Sequence, residues 1–271
     1  MEGSPERMAP TGPRPPSPAA LFVHDLSTSF ISRLRSRDPA AWFELWEIFG
    51  PILRAQFTRW GRGQIGVETV QDLSQETMAA LAGAIDRHDP SRGARFSTWL
   101  LAIARYTLGD ELDRRTAQKR GGGLRPRSLD EAWCSPDSGP SPDAAYEQAV
   151  FDAKFEAALR AVEKEVGFMN FEVFRQRILE GKSGKQVAAA LGTSEPTVSR
   201  RLALVRQCLA EHLHLIVARF SFTREELDEL TRNGLALNPK KRDEAAFEEA
   251  VSDIYHRLSL RRAQEGASET A

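Results

Sequence analysis

Gln186–Arg206 reads QVAAALGTSEPTVSRRLALVR, and this stretch predicts two short helices joined by a tight turn. Gly192 can take the left-handed conformation that ends the first helix, because glycine has no Cβ. Ser194 is suited to cap the second helix, and Pro196 falls in its first turn, where a missing N–H costs nothing. Apolar residues then recur at helical spacing: Val198, Leu202, Val205 and Leu209. The pattern indicates a helix-turn-helix, whose second helix usually enters the DNA major groove.

The second of these helices offers hydroxyl and guanidinium groups to a partner. It contains no Asp or Glu from Pro196 to Ala210, which favours DNA because carboxylates are repelled by phosphate. Arg200 or Arg201 can bridge O6 and N7 of guanine, whereas Arg206 would contact the DNA backbone. The predicted DNA contacts are Ser194, Thr197, Ser199, Arg200, Arg201 and Arg206. The alternative is an ordinary helical hairpin whose arginines are only solvated.

Length and charge set the wider frame. A chain of 271 residues can form two small domains, each with its own core. The net charge of −1 argues against an unselective nucleic-acid coat protein. The charges are nevertheless arranged in blocks, basic over residues 92–127, acidic over 130–165 and basic again over 175–206. This arrangement predicts two surfaces for a polyanion, separated by a connector that avoids it.

Cysteine usage and the N-terminus point to a compartment. Cys134 and Cys208 provide neither a disulfide framework nor a metal-ligand spacing, which favours a reducing cytoplasm. No apolar run approaches the length of a membrane span. Residues 1–25 are rich in proline and lack an apolar signal core, so we expect disorder there and not an export signal. The sequence predicts a soluble cytoplasmic protein.

Helical periodicity recurs along the chain, and no strand-like alternation is sustained, so the predicted fold class is all-α. Amphipathic stretches predict a first helical bundle over residues 26–117. Gly, Pro and Ser in residues 118–144 predict a flexible linker. Residues 145–212 are predicted to form a second bundle that contains the helix-turn-helix. Residues 213–271 are predicted to form a helical C-terminal extension, either a regulatory or docking module or an addition that packs on the second bundle.

Motifs of catalysis and metal binding are not found in the sequence. His212 and His214 are two residues apart and would face different sides of a helix. Neither a Walker loop nor a G-x-S-x-G elbow is present. We therefore expect no enzymatic activity, no cofactor and no bound metal.

Four further motifs follow one another within the first predicted bundle. They are DLSQET (Asp72–Thr77), DRHDPSRG (Asp86–Gly93), RFSTWLLAIAR (Arg95–Arg105) and DELDRR (Asp110–Arg115). Together with a helix-turn-helix beyond a linker, they resemble the sigma factors of bacterial RNA polymerase, specifically the small extracytoplasmic-function (ECF) type. The resemblance covers roughly residues 26–115 and 145–212.

This resemblance implies two roles for the first bundle, binding of core RNA polymerase and opening of promoter DNA. The DLSQET motif resembles the family's helix that docks on the polymerase clamp, so the implied polymerase contacts are Asp72, Gln75 and Glu76. The motifs after it resemble the stretch that melts DNA and reads the minus-ten element. The implied contacts there are Arg92, Arg95, Trp99, Arg105 and Arg114. For Trp99 the alternative is core packing, because the ring lies on an apolar stripe.

The helix-turn-helix resembles the family's reader of the minus-thirty-five promoter element. The implied partners are core RNA polymerase and promoter DNA, an anti-sigma protein is a further candidate, and no membrane insertion is expected. Two rival classes stay open, a polymerase-independent helix-turn-helix transcriptional regulator and an adaptor protein with no DNA role. The chain departs from the minimal family pattern in the Pro-rich residues 1–25 and in the extension at 213–271.

Overall fold

The computed structural model consists of α-helices, and the part of the chain that it describes contains no strand. The all-α prediction is confirmed. The described residues are 18–61, 63–87, 95–120, 143–221, 226, 228–236 and 243–269.

The first bundle is formed by the N-terminal helices. They are α1 (Pro18–Arg35), α2 (Pro39–Gly61), α3 (Val67–Ala84), which ends in a 3-10 turn (Ile85–Arg87), and α4 (Phe96–Arg120). Asp38 precedes α2, and its carboxylate accepts the backbone N–H of Ala40 at 2.9 Å, which satisfies a donor at the helix start. The core includes Phe30, Leu34, Leu45, Phe49, Leu53, Phe57, Leu73, Leu81, Phe96 and Leu100. These residues recur at helical spacing, which explains why the stretches fold as amphipathic helices.

The second bundle is formed by the helices that follow. They are α5 (Ala144–Val166), α6 (Phe168–Phe174) with a π-helical turn (Arg175–Leu179), α7 (Gly184–Ala190), α8 (Glu195–Arg219), α9 (Glu229–Arg232) and α10 (Glu244–Glu269). Aromatic side chains of α5 and α6 meet aliphatic ones of α7 and α8 in the core. These include Phe151, Phe155, Phe174, Val187, Val198, Leu202, Val205, Leu209 and Leu213.

Three of the expected boundaries differ from the observed helices. Helix α1 begins at Pro18, so the last part of the stretch predicted to be disordered (1–25) is helical, while residues 1–17 lie outside the described chain. Helices α4 and α5 enter the predicted linker from both sides, and residues 121–142 lie outside the description. Helix α8 continues past the expected domain end at residue 212.

The two bundles pack against each other, which differs from the expectation that a linker holds them apart. Tyr146 and Val150 of α5 and Phe220, just after α8, belong to the buried core of the first bundle. The Phe220 ring lies 4.8 Å from that of Phe30, and Arg219 contacts Glu44 of α2 at 2.6 Å. The physical reason is that α8 runs far enough to return its apolar C-terminal end to the first bundle.

The C-terminal extension is part of the second bundle. Its side chains Leu230, Leu235, Phe247, Val251, Ile254 and Leu258 lie in the same buried core as the helix-turn-helix. Two nearly inaccessible charges of α5 are neutralised by it, since Lys154 pairs with Glu229 at 2.8 Å and Asp152 pairs with Arg257 at 2.7 Å. The segment therefore packs on the second bundle.

Candidate nucleic-acid interface

Helix α7 and the turn after it have well-defined ends. Ser183 and Gln186 form a capping box, in which the Gln186 N–H donates to Ser183 Oγ and the Ser183 N–H donates to Gln186 Oε1. Gly192 has φ +59°, and the Thr193 N–H donates to the Ala188 carbonyl at 2.9 Å, as in a Schellman motif. The left-handed Gly192 was predicted. The S-x-x-Q signal of the capping box was legible in the sequence but was not part of the prediction.

The start of α8 differs in one detail from the expectation. Ser194 occupies the capping position, but its side chain accepts no backbone N–H. Its Oγ lies 2.9 Å from Thr197 Oγ1, so the two hydroxyls bond to each other. Both hydroxyls stand at a helix N-terminus, where backbone N–H groups attract anions.

The first turns of α8 present most of the predicted DNA contacts to solvent. Ser194, Ser199 and Arg200 are exposed, and Thr197 and Arg201 are half-buried. The Arg200 Nε donates to the Pro196 carbonyl at 3.3 Å, which lays the guanidinium along the helix surface. Val198 and Leu202 are buried on the opposite side. This end of α8 is therefore a polar, basic surface anchored by an apolar one.

Arg206 does not belong to this surface. It is 6% exposed, and its guanidinium pairs with Glu244 at 3.0 Å and with Glu248, both on α10. The structure does not support the expectation that Arg206 contacts DNA. Helix α10 covers the residue, and two carboxylates of α10 pair with its guanidinium. The helical period places Arg206 off the apolar stripe of α8, and so predicts that it is exposed. The period cannot show that another helix covers this face.

The predicted melting residues of the first bundle differ from one another in accessibility. Arg105 is exposed, and its guanidinium lies 4.4 Å from the centre of the Trp60 ring. Arg114 is exposed and bonds to Glu111 at 2.7 Å. Trp99 is half-buried, with its ring 5.7 Å from that of Phe96. Arg92 lies outside the described residues.

The start of α5 covers the N-terminal end of α4. Arg95 forms an ion pair with Glu147 of α5, and the Tyr146 hydroxyl donates to the Ser97 carbonyl at 2.7 Å. Burial raises the pKa of Tyr146, so this hydroxyl keeps the proton that it donates. Arg59 at the end of α2 pairs with Asp143 at 2.8 Å. Residues of the second bundle thus neutralise cations of the first.

Helix α3 exposes one polar face. Asp72, Gln75 and Glu76 are exposed, whereas Leu73 and Thr77 are buried, as the DLSQET periodicity requires. The Thr77 hydroxyl lies 3.0 Å from that of Thr107, which fixes α3 against α4 through a buried hydrogen bond. The three predicted polymerase contacts are therefore brought together on a rigidly held helix.

Comparison with known proteins settles the family. A family model described as ECF sigma factor matches residues 26–215, which include the α3 face, α4 and the helix-turn-helix. The chain belongs to the ECF sigma factor family. Comparison with curated protein sequences gives no match.

Family membership gives this ECF sigma factor a role in transcription initiation, with core RNA polymerase and promoter DNA as the family's partners. Sigma factors are initiation factors, and the chemistry of RNA synthesis belongs to the polymerase. A polymerase-independent regulator is not favoured. None of the described helices is long and apolar enough to span a membrane.

Proposed function

We propose that this ECF sigma factor docks on core polymerase through α3, reads the minus-thirty-five element with the start of α8, and uses α4 to read and melt the minus-ten region. The observation that carries the proposal is the exposed start of α8. It combines an arginine, three hydroxyls and a helix N-terminus behind a Schellman turn. Such a surface suits phosphate positioning together with base contact.

Within this surface, Arg200 is assigned to base reading. Its guanidinium is exposed, and arginine can bond to both O6 and N7 of guanine. Arg201 is half-buried, and its Nη1 is buried with no hydrogen-bond partner among the described residues, so it is held closer to the helix. Ser194, Thr197 and Ser199 are assigned to phosphate or base edges. Arg206 is left out of the proposed set because it is enclosed by α10.

For the downstream element, the proposed contacts lie on and around α4. Arg105 forms a cation–π contact with Trp60 at the surface, and Trp99 lies on the same helix as Arg105. Opening DNA requires cations for phosphate and a surface on which an unstacked base can rest. Arg95 and Arg114, together with Arg92, complete the proposed basic track.

Docking on the polymerase is assigned to the carboxylate and amide face of α3. Asp72, Gln75 and Glu76 suit a basic partner surface, and an anti-sigma protein is a candidate competitor for the same face. The substitution Glu76→Lys is expected to lower affinity for core polymerase by at least about tenfold, because it places a cation against a basic partner. Glu163→Lys, the same charge reversal on exposed α5, should leave that affinity unchanged.

Run-off transcription with core polymerase on genomic fragments tests the whole proposal. The full chain should direct initiation from particular fragments, and core polymerase alone should not. Arg200→Ala should keep core binding and reduce initiation from those fragments, which separates DNA reading from docking. Absence of initiation with the full chain would contradict the proposal. The extension must stay intact in this experiment, because cutting the chain after Phe220 removes part of the second bundle's core.

A further inference from the structure

A cluster of three metal-ligand side chains lies in the second bundle, away from the proposed DNA and polymerase surfaces. Cys208 and His212 stand one turn apart on α8, and Glu165 comes from the last turn of α5. Their ligand atoms all lie within 4.8 Å of one another, and His212 Nε2 is 2.7 Å from the Glu165 carboxylate. The four-residue spacing of Cys208 and His212 is the signal of this cluster in the sequence, whereas the expectation of no metal rested on His212 and His214.

The donor set has the composition of a zinc site. Thiolate, imidazole and carboxylate are the ligands that Zn²⁺ takes in proteins, and sites with three protein ligands leave a fourth position open. Spacing of four residues on a helix places two ligands on one face, as in helical zinc motifs. Zinc bonds of 2.0–2.3 Å in a tetrahedron need ligand atoms roughly 3.4 Å apart. The 2.7 Å separation between His212 Nε2 and the Glu165 carboxylate can widen to that value by rotation of the exposed Glu165 side chain.

Burial distinguishes the three ligands in a useful way. Cys208 is 8% exposed, His212 is half-buried and Glu165 is exposed, so the cluster is closed on the protein side and open towards solvent. Burial is the largest cause that raises the pKa of the Cys208 thiol, followed by the nearby carboxylate of Glu165 and then by that of Glu211. A neighbouring carboxylate adds negative potential that attracts a cation.

We propose that Glu165, Cys208 and His212 bind one divalent transition-metal ion of the zinc class, with water as the fourth ligand. Binding joins the end of α5 to the middle of α8 and replaces the thiol proton and the hydrogen bond between Glu165 and His212. The bound ion therefore stabilises the bundle that holds the start of α8. Regulation by thiol oxidation fits the site less well, because Cys208 is only 8% exposed to an oxidant in solution.

Cobalt binding to the reduced, metal-stripped full chain tests the site. Co²⁺ should bind with a stoichiometry of one and produce a thiolate-to-cobalt charge-transfer band, and Zn²⁺ should displace it and abolish the band. Zn²⁺ should also raise the unfolding temperature. Absence of both the band and the stabilisation would overturn the proposal and leave the trio as a hydrogen-bonded contact between helices.

Matched variants locate the ligands. Cys208→Ser should abolish the charge-transfer band, and Cys134→Ser, the other cysteine of the chain, should retain it. His212→Ala should weaken Co²⁺ binding by at least about tenfold, whereas His214→Ala, exposed on the same helix, should not. Glu165→Gln should keep the band and weaken binding.

Three results would overturn the assignment of ligands. They are a band that survives Cys208→Ser, one that is lost with Cys134→Ser, and a Co²⁺ affinity that is equal in the His212 and His214 variants. Thermal unfolding of each variant, with and without Zn²⁺, separates the loss of a ligand from misfolding. A variant that has lost a ligand still unfolds cooperatively without metal, but Zn²⁺ no longer raises its unfolding temperature.

Discussion

The two regions proposed to touch DNA differ in how accessible they are in the free chain. The start of α8 projects Ser199 and Arg200 into solvent. The start of α4 is covered by α5, with Arg95 paired to Glu147 and the Ser97 carbonyl bonded to Tyr146. The start of α8 is open to a partner without rearrangement, whereas a partner reaches the start of α4 only if α5 moves. Under the proposed roles, promoter reading and promoter melting therefore need not become possible at the same time.

The junction between the two bundles combines weak ion pairs with stronger apolar contacts. Partly exposed ion pairs such as Arg59–Asp143 contribute about 0–1 kcal/mol each. The apolar side chains at the junction, Tyr146, Val150 and Phe220, contribute about 1.5–3 kcal/mol each. Any partner that binds separated bundles more tightly than packed ones would shift the equilibrium towards the separated state.

The largest expected effect concerns the part of α8 around Arg206, which α10 covers. Phe247→Ala removes a fully buried ring between α10 and the second bundle and should lower the free energy of unfolding by about 3–5 kcal/mol. Urea denaturation measures the change. Leu260→Ala, on the same helix but 66% exposed, should change it by no more than about 0.5 kcal/mol. If the two substitutions change the free energy of unfolding equally little, α10 does not pack stably on the second bundle. Arg206 would then be as accessible as Arg200.

The two ends of the basic face of α8 should respond differently to alanine. Arg200→Ala should cost about 1–3 kcal/mol of discrimination for the upstream element and alter base preference, with little effect on folding. Arg206→Ala should lower stability, because Glu244 and Glu248 lose their partner, and leave base preference unchanged. Binding measured on a library of single-base variants distinguishes them. If Arg200→Ala weakens binding equally on all sequences, its base-reading role is wrong.

A smaller effect is expected at the junction. Tyr146→Phe removes the hydrogen bond to Ser97, worth about 0.5–1.5 kcal/mol, and should raise the affinity of the free chain for single-stranded minus-ten DNA about two- to tenfold. Fluorescence anisotropy with a labelled strand measures it. Tyr255→Phe, in the second bundle, serves as the control. An unchanged affinity would show that α5 does not limit access to α4.

The smallest effect is expected from Glu147→Gln. It removes the carboxylate that pairs with Arg95, and an ion pair of this kind contributes about 0.2–1 kcal/mol. Affinity for single-stranded DNA should rise by no more than about fivefold, with a steeper dependence on salt because one more cation meets phosphate. Glu163→Gln is the matched control on α5. A salt dependence equal to that of the unmodified chain would leave Arg95 without a role in DNA binding.

Features set by local periodicity could be predicted from the sequence, and features set by packing between distant segments could not. Gly192 adopts the predicted positive φ, and the face of α3 with Asp72 and Glu76 is exposed as expected. Arg206 was misjudged because its neighbours come from α10, whose position no local pattern reveals. For the same reason, the cluster of Glu165, Cys208 and His212 could not be predicted from the sequence, because its residues come from two helices that only the fold brings together.

The length of α8 has a mechanical consequence. Its 25 residues form one continuous helix of about 37 Å, with the residues proposed to read DNA at one end and the junction with the first bundle at the other. The contacts of Arg219 and Phe220 with the first bundle therefore set the direction of the whole helix, including its N-terminal end. A tilt of about 10° at the junction would move that end by about 6 Å, nearly two base-pair steps along DNA.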